Sequence, residues 1–348
     1  MAKKNVLVVA IAFIALFPGL VFSQTPFYQG KTITFVRGAG PGGVGEARAR
    51  ALIPYLSKYI PGNPHIVLEF MPGGGGSKAA NYMVSGARPD GLTLGSVGGG
   101  LVRNAVLGLT GAEYDIDKFI YLGSPESGTH YVFFSRREAG LDNLKKLLAS
   151  TGLKIGGQEV GHDIYVTGRL FAYLMGLKDP KFIAGYTGPE LDMAQARGEV
   201  DARGQTVDGI EQRNPEWIHK RLVDFHAVIE VPKGSKHPHL GHLPEIETFA
   251  RSENERRLMA LFRNFKLVGT THFLPPGTPR DRVEILAEAM RKTFRDPKFL
   301  ADYKKMSGGD ASPLMPEEQV KAIKDIPRDA ETIGLFNKLA GAGPLPTR

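Results

Sequence analysis

The chain has 348 residues, of which 42% are apolar and 23% are charged. This composition is typical of soluble globular proteins, and the length suggests about two domains. Disorder over most of the chain is therefore excluded, as is a polytopic membrane protein, since only one long apolar run occurs. The net charge of +8 is spread along the chain without a dense basic block, so we expect no nucleic-acid partner. The sequence has no cysteine, which excludes disulfides, thiolate nucleophiles and Cys-ligated metal centres.

The first 23 residues have the order of a secretory signal. Lys3 and Lys4 give a positive start, the run Val6–Phe17 is apolar, and the helix-breaking Pro18 precedes Ser23. The apolar run is shorter than the ~20 residues that span a bilayer, although an uncleaved N-terminal anchor is the alternative. We therefore expect export from the cytoplasm, with cleavage near Ser23.

Predicted strands alternate with predicted helices along the mature chain. Short β-branched or apolar runs predict strands over Thr32–Arg37, His65–Phe70, Leu92–Val97, Phe119–Leu122, Tyr131–Ser135, Leu153–Gly157, Phe182–Tyr186 and Phe265–Thr270. Apolar residues at helical spacing predict helices over Glu46–Tyr59, Ser77–Val84, Leu141–Leu148, Tyr165–Met175, Met193–Gly198, Arg280–Arg295 and Glu317–Lys324. This alternation favours an α/β fold with largely parallel sheets. The pattern restarts near residues 125 and 270, which predicts two lobes, 24–127 with 267–348 and 128–266, and a ligand between them.

Two glycine-rich loops follow predicted strands and precede predicted helices. The first, Gly38–Gly43, contains GxGxxG, and Glu69 ends the next strand, as in dinucleotide-binding folds. However, Pro41 removes a backbone donor from that loop, and the second loop, Pro72–Gly76, has no role in dinucleotide binding. The alternatives are that both loops present backbone amides and helix N-termini to a small anion, or that they are ordinary tight turns.

Several segments resemble one protein family. They cover most of the chain from Ile33 to about Gly309, and they are Ile33–Ser57, Glu69–Gly76 (EFMPGGGG), Pro89–Leu94 (PDGLTL), Tyr186–Pro189 (YTGP), Arg197–Asp201 (RGEVD) and Leu274–Pro279 (LPPGTP). In them the chain resembles the periplasmic substrate-binding proteins of tripartite tricarboxylate transporters, the Bug family, as a divergent member. The resemblance implies an α/β, two-lobed periplasmic binding protein of type II-like fold. Each lobe would have a mostly parallel sheet flanked by helices, with a cleft between the lobes. It also implies a periplasmic monomer, without cofactor or catalysis, that captures a small organic carboxylate and delivers it to a membrane permease.

The resemblance further implies which residues contact the ligand. They lie in loops after predicted strands of both lobes, and Glu46 stands where the family usually has aspartate. The set is Gly40, Pro41, Gly42, Gly43, Glu46, Gly75, Gly161, His162, Asp163, Tyr186 and Gly188. Gly157 replaces a serine of the family, and Glu159 and Asp163 add negative charge that would repel a second ligand carboxylate. We therefore expect a monocarboxylate, or a carboxylate whose far end is cationic or polar.

Other interpretations of single residues stay open. Glu46 is suited to capping its helix. The cluster His237, His239 and His242 has ligand types that bind metals, although it lies in a Pro-rich segment. The sequence lacks GxSxG, HExxH and a P-loop, so catalysis is not indicated, although Glu159 and Asp163 would suit an exported hydrolase. A ligand-sensing subunit of a signalling system and an exported dinucleotide-binding enzyme are the alternatives to transport.

Overall fold

The computed structural model describes residues 25–41 and 44–348. The predicted signal, residues 1–23, and two candidate site residues, Gly42 and Gly43, lie outside the described residues. In the described part of the chain, no helix combines the length and the apolar character needed to cross a bilayer.

Strands and helices alternate through the described residues. The ten strands among them are β1 (Thr32–Arg37), β2 (His65–Phe70), β3 (Thr93–Val97), β4 (Ile120–Gly123), β5 (Tyr131–Arg136), β6 (Lys154–Gly156), β7 (Lys181–Ile183), β8 (Ala202–Thr206), β9 (Val223–Ile229) and β10 (Thr271–Leu274). The thirteen α-helices among them are α1 (Val44–Tyr59), α2 (Ser77–Ser85), α3 (Gly100–Val106), α4 (Leu144–Ala149), α5 (Asp163–Met175), α6 (Gly188–Ala196), α7 (Val207–Arg213), α8 (Pro215–His219), α9 (Glu253–Leu267), α10 (Arg280–Arg295), α11 (Pro297–Ser307), α12 (Pro316–Lys324) and α13 (Ala330–Ala340).

The strands form two five-stranded sheets. Sheet 1 has the order β2-β1-β3-β10-β4 and sheet 2 the order β7-β6-β8-β5-β9. In sheet 1, β1 pairs in parallel with β2 and β3, while β10 runs antiparallel between β3 and β4. In sheet 2, β6 pairs in parallel with β7 and β8, while β5 runs antiparallel between β8 and β9. Four of five strands in each sheet therefore run in one direction, and the predicted α/β fold with mostly parallel sheets is confirmed.

The predicted strand Phe265–Thr270 is wrong, because Phe265 lies inside α9 and the strand begins at Thr271. The side chain of Ser252 caps α9 by accepting a hydrogen bond from the backbone N–H of Glu255 (3.2 Å). Leu258 and Phe262 then lie buried on the same side of the helix as Phe265. A short apolar run at the end of a helix cannot be told from a strand by pattern alone.

We call sheet 1 with helices α1–α3 and α10–α12 lobe 1, and sheet 2 with helices α4–α9 lobe 2. The chain crosses between them through residues 124–130 and residues 268–270, the first and second crossovers, and returns to lobe 2 through residues 325–329 ahead of α13. Helix α13 packs against α5 and α9 of lobe 2. There the buried Arg169 donates to the carbonyl oxygens of Leu339 and Gly343, both at 2.8 Å. The predicted lobe limits assign α13 to lobe 1, whereas its packing is on lobe 2.

Candidate functional site

A cavity of about 490 Å³ lies between the two lobes, beside both crossovers. Lobe 1 contributes the start of α1 and the loop between β3 and α3, with Gly98 and Gly99. Lobe 2 contributes the start of α5 and the end of β8 with the start of α7. These loops follow the carboxyl ends of parallel strands, where α/β folds bind ligands, and the volume suits a small molecule.

An ion triad bridges the lobes across this cavity. The Asp163 carboxylate at the start of α5 pairs with Arg103 Nη1 of α3 at 2.5 Å and with Lys266 Nζ of α9 at 2.6 Å. Burial by itself raises the pKa of Asp163, but Lys266 and Arg103 outweigh burial and hold the pKa below its ordinary value. The N-terminal end of α5 favours the same anion. Asp163 is therefore an ionised link from lobe 2 to lobe 1.

A second polar cluster joins α1 to both crossovers. Arg48 of α1 forms an ion pair with Glu126 in the first crossover, and the Thr270 hydroxyl in the second crossover donates to the same carboxylate. Gly269 beside it has φ +57°, and a Cβ there would lie 1.7 Å from the Glu126 carbonyl oxygen. Only glycine fits this position, since the residue needs both the left-handed conformation and the missing side chain.

The lobe 2 wall carries polar side chains from the end of β8. The Thr206 hydroxyl caps α7 by accepting from the backbone N–H of Gly209 (3.1 Å). Asp208 follows in the first turn of α7 and accepts a hydrogen bond from the Thr129 hydroxyl at 3.3 Å. Burial, together with the charges of Asp163 and Asp208, raises the pKa of Tyr131 well above its ordinary value. The charges of both carboxylates therefore act on Tyr131, and all three side chains line the cavity.

Two predicted site residues line this cavity, namely His162 and Asp163. His162 caps α5, because its Nδ1 accepts a hydrogen bond from the Ile164 backbone N–H at 3.2 Å. Burial, helped by the charges of Lys266 and Arg103, lowers the pKa of His162, which favours this neutral capping role. Glu159 is exposed and lies outside the cavity lining.

The other described candidates lie outside the cavity lining: Gly40, Pro41, Glu46, Gly75, Gly161, Tyr186 and Gly188. Glu46 lies in the first turn of α1 and pairs with Arg50 at 2.6 Å. The Tyr186 hydroxyl donates to Glu199 at 3.3 Å, and Gly188 begins α6. Their ligand contact, like that of Gly42 and Gly43, stays a prediction.

Glycines in lobe 1 let three loops pack closely. A Cβ on Gly100 would lie 2.1 Å from the carbonyl oxygen of Gly75, and one on Gly76 would lie 2.3 Å from Val97 Cγ1. A Cβ on Gly38 would lie 3.2 Å from the Cα of Gly76. The glycines of the first two loops therefore contact neighbouring loops, while Gly98 and Gly99 of the third loop reach the cavity.

The histidine cluster does not assemble a metal site. In the described residues, no group of three His, Cys, Asp or Glu side chains is placed to hold a metal ion. Instead, His237 Nε2 lies 3.4 Å from Glu211, and its ring lies near those of His130 and His239.

Sequence reasoning missed the charged residues Arg48, Arg103, Glu126, Asp208 and Lys266, which all line the cavity. Two signals point to part of this set. Gly98–Gly100 is a third glycine loop after a predicted strand, directly ahead of Arg103. Thr206 followed by Asp208 and Gly209 has the composition of a helix start. No local signal marks Lys266.

Comparison with known proteins agrees with this architecture. No protein family model matches the chain, and no curated protein sequence matches it significantly. Solved structures match over most of its length. A TctC solute-binding protein from Polaromonas matches with TM-score 0.66 and 17% identity, covering 89% of this chain and 99% of its own. The periplasmic binding protein BugD matches with TM-score 0.59 and 20% identity, covering 90% and 98%. MatC from Rhodopseudomonas palustris, with bound malate, matches with TM-score 0.57 and 19% identity, covering 89% and 99%. The chain therefore has the two-lobed fold of these periplasmic binding proteins, and the resemblance inferred from its sequence is confirmed at the level of the fold.

Proposed function

We propose that the protein is an exported solute-binding protein that captures a small organic carboxylate between its lobes and delivers it to a membrane permease. The observation that carries this proposal is the interlobe cavity of about 490 Å³, into which Arg48, Arg103 and Lys266 project from different elements. Cationic side chains in a partly desolvated cleft form short, charge-assisted hydrogen bonds to carboxylates.

The charges in the cleft favour an anionic ligand. Arg103 and Lys266 share the single carboxylate of Asp163, so this group keeps one positive charge in excess. Gly98 and Gly99 expose backbone at the same cavity, where no side chain blocks the approach of a ligand. A carboxylate that bonds to both Arg103 and Lys266 would hold the two lobes together, because Arg103 belongs to lobe 1 and Lys266 to lobe 2.

The structural neighbours support a role in transport. BugD is a periplasmic binding protein and MatC holds malate. With the predicted signal at residues 1–23, these neighbours favour a periplasmic location and a permease partner. We propose a monomer that hinges at residues 124–130 and 268–270. Most acidic and basic side chains at the cavity are paired with each other, an arrangement suited to binding rather than to catalysis.

A thermal-shift screen of mono-, di- and tricarboxylates with the mature protein tests this proposal. A ligand at a hundredfold excess over Kd stabilises the fold by about 2.7 kcal/mol, which corresponds to a rise in Tm of roughly 4 °C for a chain of this size. Native mass spectrometry of the purified protein identifies any ligand that it retains.

The variant Arg103→Gln should raise the Kd of the best carboxylate by about tenfold or more, since it removes a charge-assisted contact. The control Arg280→Gln removes an exposed arginine, paired with Glu284 in α10, and should leave Kd unchanged. A screen in which no carboxylate raises Tm would overturn the proposal, as would an unchanged Kd in Arg103→Gln.

A further inference from the structure

Asp208 differs from the other charged groups at the cavity because, among the described residues, no cation lies within 4 Å of its carboxylate. The remaining cations and anions form ion pairs within 4 Å, namely Arg48 with Glu126, Arg103 and Lys266 with Asp163, and Arg213 with Asp192. Among the described residues, the one hydrogen bond to the Asp208 side chain comes from the Thr129 hydroxyl at 3.3 Å, a long distance for a charge-assisted bond.

Within the part of the chain that the structure describes, the neighbours of Asp208 across the cleft do not form an ion pair with it. Its Oδ2 faces Gly309, where a Cβ would lie 3.9 Å away, after the end of α11 in lobe 1. Arg213 lies on the same short helix but turns to Asp192, its Nε being 2.9 Å from Oδ2 of that residue. Asp208 thus presents acceptor oxygens to the cavity, and a carboxylate can only accept hydrogen bonds.

The excess positive charge and the Asp208 carboxylate face the same cavity. Arg103 and Lys266 exceed Asp163 by one charge, and all three line the cavity together with Asp208. A sphere of 490 Å³ is about 10 Å across, so one small molecule can reach both groups. A second ligand carboxylate next to Asp208 would be repelled, whereas a ligand ammonium would supply the missing donor.

We propose that the cleft selects a carboxylate that also carries an ammonium group, with the carboxylate at Arg103 and Lys266 and the ammonium at Asp208. This inference rests on the proposed function, and it names the ligand class of the same site. The sequence also predicts a ligand with a cationic or polar far end, but on the basis of Glu159 and Asp163. In the structure, two cations neutralise Asp163 and Glu159 is exposed, so Asp208 is the acid that would contact the ligand ammonium.

Matched five-carbon ligands test the inference by isothermal titration calorimetry at pH 7. The set is 2-aminopentanoate, 5-aminopentanoate, pentanoate and glutarate, which share the chain length and differ in the group away from the carboxylate. At least one aminopentanoate should bind about tenfold or more tightly than pentanoate and glutarate, the ratio expected for one charge-assisted contact. Equal or tighter binding of glutarate would overturn the inference.

The variant Asp208→Asn keeps the size of the side chain and removes its charge. It should lower the affinity for the preferred aminopentanoate by about tenfold, whereas the affinity for pentanoate, which has no ammonium group, should not fall. The control Glu159→Gln removes an exposed acid of the same lobe outside the cavity lining and should change neither Kd. An equal loss for all ligands in Asp208→Asn would refute the assignment.

The outcomes separate this inference from the proposed function. If other carboxylates bind but the amino group brings no preference, the inference fails and the solute-binding function stands. If no carboxylate of any kind binds, both fail.

Discussion

Replacing Asp163 by Asn should destabilise the protein by removing the anion that two cations share. Asp163 contacts Arg103 and Lys266 at 2.5 and 2.6 Å, and the exposed fractions of the three side chains are 39%, 21% and 11%. Breaking a fully buried ion pair costs about 3–5 kcal/mol, and breaking an exposed one about 0–1 kcal/mol. The partial exposure of Asp163 places this triad between those limits, so we expect a loss of about 2 kcal/mol at pH 7.

The pH dependence of this loss follows from the direction of the pKa shift. Lys266 and Arg103 outweigh burial and lower the pKa of Asp163 in the folded state. A lowered carboxyl pKa stabilises the fold at pH values above the unfolded pKa of about 4. That stabilisation disappears as the pH falls through the folded pKa. The difference between wild type and Asp163→Asn should therefore be constant from pH 7 to about pH 5 and shrink below about pH 4.

Urea unfolding followed by circular dichroism at several pH values measures both effects. The control Asp142→Asn breaks a pair with Lys146 at 2.7 Å in which both side chains are more than half exposed, and it should show no measurable loss. If Asp163→Asn is as stable as wild type at pH 7, the expected contribution of the ion triad to stability is refuted. A loss that persists undiminished at pH 3 would assign the effect to packing instead of charge.

Three further substitutions probe the crossover, a buried histidine and the packing of the last helix. Gly269→Ala should cost about 2 kcal/mol or more by urea unfolding, because φ +57° and the Glu126 carbonyl both oppose a side chain; Gly277→Ala, at φ +84° with open space, should cost about 1 kcal/mol. Burial and Arg37 lower the pKa of His272 to about 3 in the folded state. As the pH falls below about 6.5, His272 therefore takes up a proton in the unfolded state at a higher pH than in the folded state. His272→Leu should therefore gain about 1.4 kcal/mol relative to wild type per pH unit from pH 6.5 towards pH 4, and a gain that does not change with pH would contradict this. Arg169→Lys should accelerate hydrogen exchange in residues 330–348, because lysine cannot replace the guanidinium bonds to Leu339 and Gly343; unchanged exchange there would refute that role.

The sequence predicts most of the fold because local signals mark most elements. Strand β1 matches its predicted limits, and so do β2 and α10. Several elements have no predicted counterpart, among them β9, α11 and α13. Part of α9 is predicted as a strand, because its buried face of Leu258 and Phe262 continues into Phe265, the start of the predicted strand. An apolar run of that length fits the spacing of a helix as well as that of a strand, and only the helix cap at Ser252 distinguishes the two.

The candidate site was harder to predict because its charged contacts join distant parts of the chain. Arg103 and Asp163 are 60 residues apart, and Lys266 reaches the same carboxylate from α9. Sequence analysis found Asp163 through the loop after a strand and interpreted it as an uncompensated negative charge. The folding of lobe 2 brings Lys266 to Asp163, and the approach of lobe 1 adds Arg103.

The glycine-rich loops show a second limit to predicting the site from the sequence. Glycine permits backbone to approach a ligand, but it equally permits backbone to approach backbone. Gly75 and Gly100 serve the second purpose, since a Cβ on Gly100 would meet the Gly75 carbonyl oxygen at 2.1 Å. Gly98 and Gly99, two residues or fewer from Gly100, line the cavity. Spacing alone does not separate these two uses.

The ion triad also constrains how a ligand can bind. Asp163 already pairs with the two cations that a ligand carboxylate would use. The free energy of binding is therefore the difference between the ion pairs formed with the ligand and those broken with Asp163. When the lobes separate, Arg103 leaves with lobe 1, whereas Lys266 and Asp163 both belong to lobe 2. Opening therefore releases one cation for the ligand and keeps the acid neutralised. In the proposed binding mode, a ligand carboxylate that bonds to both Arg103 and Lys266 would replace the link that Asp163 provides between the lobes, and contact of a ligand ammonium with Asp208 would add the free energy that distinguishes one carboxylate from another.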